Sequence, residues 1–127
     1  MAGIERFEDT VAWQKARELA NLVYELTKRR PFSNDFAPRD QLRRASVSIM
    51  LNIAEGFGRQ TRKEFLQFLV VARGSAVELE SGAYLASDQG YLSEEEFQHL
   101  YDRAKVVEKL ITALAGSLRR EGDASGA

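Results

Sequence analysis

Both prolines of the chain, Pro31 and Pro38, fall inside one short segment, PFSNDFAP, and on either side of it apolar residues recur every three or four positions. Spacing of that kind lines one face of a helix, whereas proline removes a helical N–H and clashes with the preceding turn. The chain is therefore predicted to form one helix before the segment and a proline-free series of helices after it. The first, over about residues 9–30, carries Trp13, Ala16, Ala20, Val23 and Thr27 in line, widened by Leu19, Leu22 and Leu26. Lys28, Arg29 and Arg30 suit its C-terminal dipole, and Pro31 stops it.

The second helix is predicted over about 38–57, with Pro38 at its first position. It has two stripes, one of Leu42, Ser46, Ile49, Ile53 and Gly56, the other of Val47, Met50, Ala54 and Phe57. They lie about 100° apart, so one neighbour cannot cover both. The third helix, over about 61–89, opens on a capping box from Thr61 to Glu64. Its inner seam is Phe65, Leu69, Ala72, Ala76, Leu79, Ala83 and Ala86, and a second seam holds Leu66, Val70, Val77 and Tyr84. Gly74, Ser75, Ala76, Ser81, Gly82 and Ala83 make this helix narrow, which favours close packing. Gly90 is expected in the left-handed conformation at its end, with Tyr91 folding back. A second box, Ser93 to Glu96, opens a helix over about 93–119, whose Phe97, Leu100, Ala104, Val107, Ile111, Leu114 and Leu118 repeat without a miss.

These elements predict an all-α fold, an antiparallel up-down-up-down four-helix bundle. It forms one domain over residues 1–120, followed by a disordered tail over 121–127. The doubled seams of the second and third helices predict a homo-oligomer, since a lone bundle would leave apolar rows in water.

Composition narrows the function. Hydrophobic residues make up 44% and charged residues 29%, and no run approaches the roughly 20 apolar residues of a membrane span. The start, MAGIERFED, lacks a signal peptide's apolar region, so a cytoplasmic location and no membrane partner are expected. Without cysteine, and with His99 the single histidine, thiolate chemistry, hydrolytic triads and histidine-based metal sites are all but excluded. No enzyme activity, cofactor, metal or small-molecule substrate is expected.

The net charge of −1 conceals an asymmetry: residues 1–27 carry −2, residues 28–73 carry +6 and residues 74–127 carry −5. The basic middle holds the candidate binding residues, Arg43 and Arg44 early in the second helix and Arg59, Arg62 and Lys63 around the break into the third. Guanidinium groups suit phosphate because they stay charged and donate two parallel bonds. The alternative is that these cations pair with Glu55, Glu64, Glu78 and Glu80 within the bundle or across an interface. Asn52 and Glu55 are expected in a buried polar cluster that sets helix register, with Glu55 also able to pair with Arg59. In GFGR, Gly56 and Gly58 close the second helix; no lysine or further glycine makes a phosphate loop there.

The ordered words Gln41-Leu42-Arg43-Arg44-Ala45, Asn52-Ile53-Ala54-Glu55-Gly56, Gly58-Arg59, Lys63-Glu64-Phe65 and Gly90-Tyr91-Leu92 run in series. With Trp13-Gln14-Lys15-Ala16 before them, they resemble bacterial four-helix-bundle proteins named for reading frames inside intervening sequences of 23S ribosomal RNA genes. That resemblance implies ring assembly, notably as a pentamer. It also implies an RNA or a nucleic-acid-handling protein as partner, since a relative is the accessory protein of a retroelement reverse transcriptase. This chain departs from the pattern at Met50-Leu51 and Ala37-Pro38, where the family commonly has proline-serine and glycine-leucine. Lacking the central proline, the second helix is expected to be straighter.

Overall fold

The computed structural model describes residues 4–124. These form four α-helices and no strand: α1 (Val11–Thr27), α2 (Phe36–Gly58), α3 (Arg62–Asp88) and α4 (Glu94–Ala124). Short 3-10 turns at Phe7–Asp9 and Phe32–Asn34 precede α1 and α2.

Three of the four helices, α1, α3 and α4, begin where a side chain satisfies a free N–H group. The Thr10 hydroxyl accepts from Trp13 N at 3.3 Å, and that of Thr61 from Glu64 N at 3.1 Å. Ser93 and Glu96 bond reciprocally, at 3.1 Å from Glu96 N to Ser93 Oγ and 2.9 Å from Ser93 N to Glu96 Oε1. At the end of α3, Gly90 has φ +78°, and the N–H groups of Gly90 and Tyr91 reach back to the carbonyls of Ser87 and Ala86, both at 2.9 Å. That is the expected left-handed stop.

α2 starts two residues earlier than Pro38. Asp35 precedes it, and Pro38 sits within the first turn, where its missing N–H has no intrahelical partner to lose. The Asp35 carboxylate makes no cap bond; it accepts from Tyr91 Oη at 2.5 Å, while the Tyr91 ring stacks on buried Phe32. One tyrosine thus ties the α1–α2 connection to the α3–α4 connection. Past Met50, α2 is helical without interruption, as the absence of proline there allows.

Each helix packs against two others, α2 on α1 and α3, and α4 on α3 and α1, with the core between them. All seven residues of the inner seam of α3 are buried, as are Leu42, Ser46, Ile49, Ile53 and Gly56 of α2. A fully buried Leu or Ile is worth roughly 1.5–3 kcal/mol. Alanines on α3 and two glycines let these helices approach closely. A Cβ on Gly82 would lie 2.8 Å from Leu42 Cδ2, and one on Gly56 would lie 2.8 Å from Phe68 Cβ.

The second stripes divide. Met50 and Phe57 of α2 and Leu66 of α3 fold back against the same core, Phe57 packing edge-on to Phe65. Val70, Val77 and Tyr84 of α3 stay exposed, with Tyr84 against Phe97 and Tyr101 of α4. At the C-terminal end, the segment from residue 121, expected to be disordered, is helical through Ala124. Half-buried Glu121 and Gly122 lie beside the start of α3, and that contact extends the helix beyond its own weak propensity. The rest of the tail lies outside the described residues.

Candidate functional site

The five basic residues singled out from sequence lie in two places, not one. Arg44, two turns into α2, and Arg59, just past its last residue, are about 22 Å apart at 1.5 Å per residue. Arg43 and Arg44 therefore lie in the half of α2 nearer the α1–α2 connection, against the last turn of α1. Arg59, Arg62 and Lys63 lie around the break from α2 into α3.

At the first location, α1 presents Tyr24 and Thr27 to α2. The Arg43 Nε donates to Thr27 Oγ1 at 2.8 Å, and its guanidinium lies over the Tyr24 ring, 4.7 Å from the centroid. Thr27 is buried, and its hydroxyl donates to Val23 O at 2.7 Å, so its oxygen is free to accept from Arg43. Tyr24, Asp40, Arg43, Arg44, Val47, Ser48, Leu51, Asn52 and Glu55 line an open groove of about 710 Å3. Asp40 is engaged by Arg39 at 2.8 Å. That bond, and then the fields of Arg39, Arg44 and Arg43, hold its carboxyl below the usual range.

Asn52 and Glu55 do not form a joint cluster. The Asn52 amide donates to Ser48 O at 2.8 Å and to Ser48 Oγ at 3.0 Å, and Ser48 meets Ser75 of α3 at 2.9 Å. Asn52, Ser48 and Ser75 thus form a hydrogen-bonded chain across the α2–α3 contact. Glu55 is exposed and pairs with Arg59 at 3.0 Å, because it sits one turn before it.

At the second location, Arg59 is occupied: besides Glu55 it reaches Glu64 at 3.7 Å and lies over Phe68. Arg62 and Lys63 are exposed, and neither makes an ion pair among the described residues. With Leu66, Arg119, Gly122 and Asp123 they line a groove at the ends of α3 and α4. Arg119 lies in the acidic last third of the chain, so charge counted along the sequence hides it. The signal was the return of α4 past the first turn of α3. Gly56 is buried beside Phe65 and Phe68, whereas nothing lies within 4 Å of where a Cβ on Gly58 would stand.

Between α3 and α4 runs a network that charge counting did not disclose. Lys105 Nζ bridges Glu80 at 3.1 Å and Glu108 at 3.3 Å, and Arg73 holds Glu108 at 3.1 Å and Thr112 at 3.2 Å. Burial, then the adjacent Glu108, pushes the Glu80 pKa up. Glu78, the remaining acid considered from sequence, accepts from Gln41 at 3.3 Å. Among the described residues, no group of three or more His, Cys, Asp or Glu is placed to hold a metal ion. No helix there is long and apolar enough to cross a membrane.

Residues 8–113, which span α1 to α3 and most of α4, match a known family, that of the 23S rRNA-intervening sequence protein. The chain belongs to that family. A solved structure similar to this family member is that of a protein with unknown function from the S23 ribosomal protein family of Bacteroides thetaiotaomicron. It is 26% identical, covers 83% of this chain and 98% of its own, and superposes with a TM-score of 0.74. No curated protein matches the chain.

Proposed function

We propose that this family member is a non-enzymatic, self-assembling helical bundle that binds RNA through cations its own carboxylates leave unpaired. One observation carries the reading. Arg44, Arg62 and Lys63 are exposed without an ion pair among the described residues, while Glu55, Glu64, Glu80, Glu96 and Glu108 are each taken by another cation. Cations without an internal partner are available to phosphate. The family's name ties it to 23S rRNA, which makes structured RNA the partner to try first.

The helices of the bundle run up-down-up-down in a single domain. Support comes from pairs whose numbers rise on one helix as they fall on the next: Gln41 with Glu78 and Ser48 with Ser75, then Arg73 with Thr112 and Glu80 with Lys105. Assembly into a ring, five copies by the family resemblance, would repeat each unpaired cation around an axis and add avidity. The site of action is cytoplasmic. A second reading, a scaffold or accessory subunit that binds only protein, is favoured by the internal occupation of Arg43 and Arg59.

Gel-shift titration of structured ribosomal RNA fragments over a range of salt tests the RNA reading. Binding is expected at low salt and should weaken as salt rises. Replacing Arg62 and Lys63 together by Gln should lower the salt slope by about two, near one per lost phosphate contact. Absence of binding even at low salt overturns it and leaves the protein-only scaffold.

A further inference from the structure

We propose that the groove beside Tyr24 and Arg43 receives one unpaired nucleotide of a single-stranded RNA, its base against the Tyr24–Arg43 stack and its phosphate at Arg44. This rests on the reading of the protein as an RNA binder and specifies which form of RNA it takes and where.

Preorganisation is the first support. Arg43 is held at one edge of its guanidinium by Thr27, through Nε, and on one face by the Tyr24 ring. Its orientation is thus set by the fold before any ligand arrives, which lowers the entropy lost on binding. Its terminal nitrogens make no further hydrogen bond among the described residues. A flat guanidinium on an aromatic ring is a surface on which a base can stack.

Charge is the second. The two carboxylates lining the groove are already engaged, Asp40 by Arg39 and Glu55 by Arg59. Among the described residues neither Arg43 nor Arg44 is within ion-pair distance of a carboxylate, so the groove suits an anion. Its apolar wall is Val47 and Leu51, the latter 57% exposed. Asn52 spends its amide N–H groups on Ser48 and keeps its side-chain oxygen for an outside donor, such as a base amino group. At about 710 Å3 the groove falls within the usual range for ligand sites.

A duplex hides the faces of its bases in the stack, whereas an unpaired base offers one. The other grooves lack the combination. Between α3 and α4, Arg73 is neutralised by Glu108. At the start of α3, Phe57 and Phe65 line a groove with Arg59 and Arg62, but the arginine that lies over a ring there, Arg59 over Phe68, is taken by Glu55 and Glu64.

Fluorescence anisotropy with a labelled ten-nucleotide oligo(A), a blunt ten-base-pair RNA duplex, and AMP as competitor tests the assignment. The single strand should bind more tightly than the duplex, with AMP a weak competitor. Tyr24→Ala should weaken strand binding roughly 5- to 150-fold, the range for one base–aromatic stack, and Tyr24→Phe should restore most of it. Leu51→Glu, at an exposed position, should also weaken the strand while leaving the thermal midpoint unchanged. Strand affinity unaffected by Tyr24→Ala and Leu51→Glu, yet reduced by replacing Arg62 and Lys63, overturns the groove and leaves the RNA reading standing. AMP competing as well as the strand overturns the strand assignment. Neither nucleic acid binding at low salt overturns both readings.

Discussion

Gly56 and Gly58 stand one residue apart in the same GFGR word, and their surroundings demand opposite things of them. A Cβ on Gly56 would lie 2.8 Å from Phe68 Cβ and 2.9 Å from Phe65 Cδ1, and the first is too near the backbone to swing aside. Overpacking of that kind costs about 1–3 kcal/mol, against a helix-propensity gain of at most about 1 kcal/mol. Gly56→Ala is therefore expected to destabilise the protein by about 1–2 kcal/mol. Gly58 has open space and no positive φ, so Gly58→Ala should stabilise by about 0.4–1 kcal/mol through the unfolded chain. Urea midpoints of the two variants check this. Shifts in the same direction would show that the glycines share one role.

α4 shows how an element's start is coupled to its neighbour. Glu96 completes the capping box with Ser93 and also accepts from Arg29 Nη1, just past the end of α1, at 2.5 Å. The Arg29 bond first, then the Ser93 N–H, lowers its pKa to about 2. A carboxyl with a depressed folded-state pKa contributes stability above its unfolded value, near 4.5, and loses it as pH falls toward 2. Arg29 is half exposed, so solvent screening keeps the contribution small. Glu96→Gln should flatten stability against pH between about 4.5 and 2, with little change at neutral pH beyond the lost ion pair. A pH series of thermal midpoints identical to wild type in that window would contradict it. At this scale the sequence was most informative: caps and the inner seams of α2, α3 and α4 follow from local spacing. Pro38 misled because a proline suits several first-turn positions equally. The end of α4 was missed because Glu121 and Gly122 are ordered by the start of α3, distant in sequence. The fates of Arg43 and Arg59 were not equally legible. Glu55 is near in sequence and its pairing with Arg59 was legible; Thr27 and Tyr24 lie on another helix, and no spacing announces them.

For the whole molecule, the consequence is a division of surfaces. The core takes one stripe from each of α2 and α3, and Met50, Phe57 and Leu66 besides. Among the apolar residues left outside are Val70, Val71, Val77, Tyr84 and Leu85 on α3, each between 44% and 64% exposed, and Leu51 on α2. Apolar surface on that scale marks an interaction face, and self-assembly of the chain is our account of the α3 portion. Exposed cations in two places, Arg44 on the first half of α2 and Arg62 and Lys63 at the start of α3, would then be multiplied by the number of copies. Sedimentation velocity on a micromolar mixture of the protein and a labelled structured RNA at low salt, read at two wavelengths, tests this most directly. The account predicts that the RNA travels with an assembly several times the 14.3 kDa chain mass. A 14.3 kDa protein boundary, or RNA sedimenting free of the protein, would contradict it.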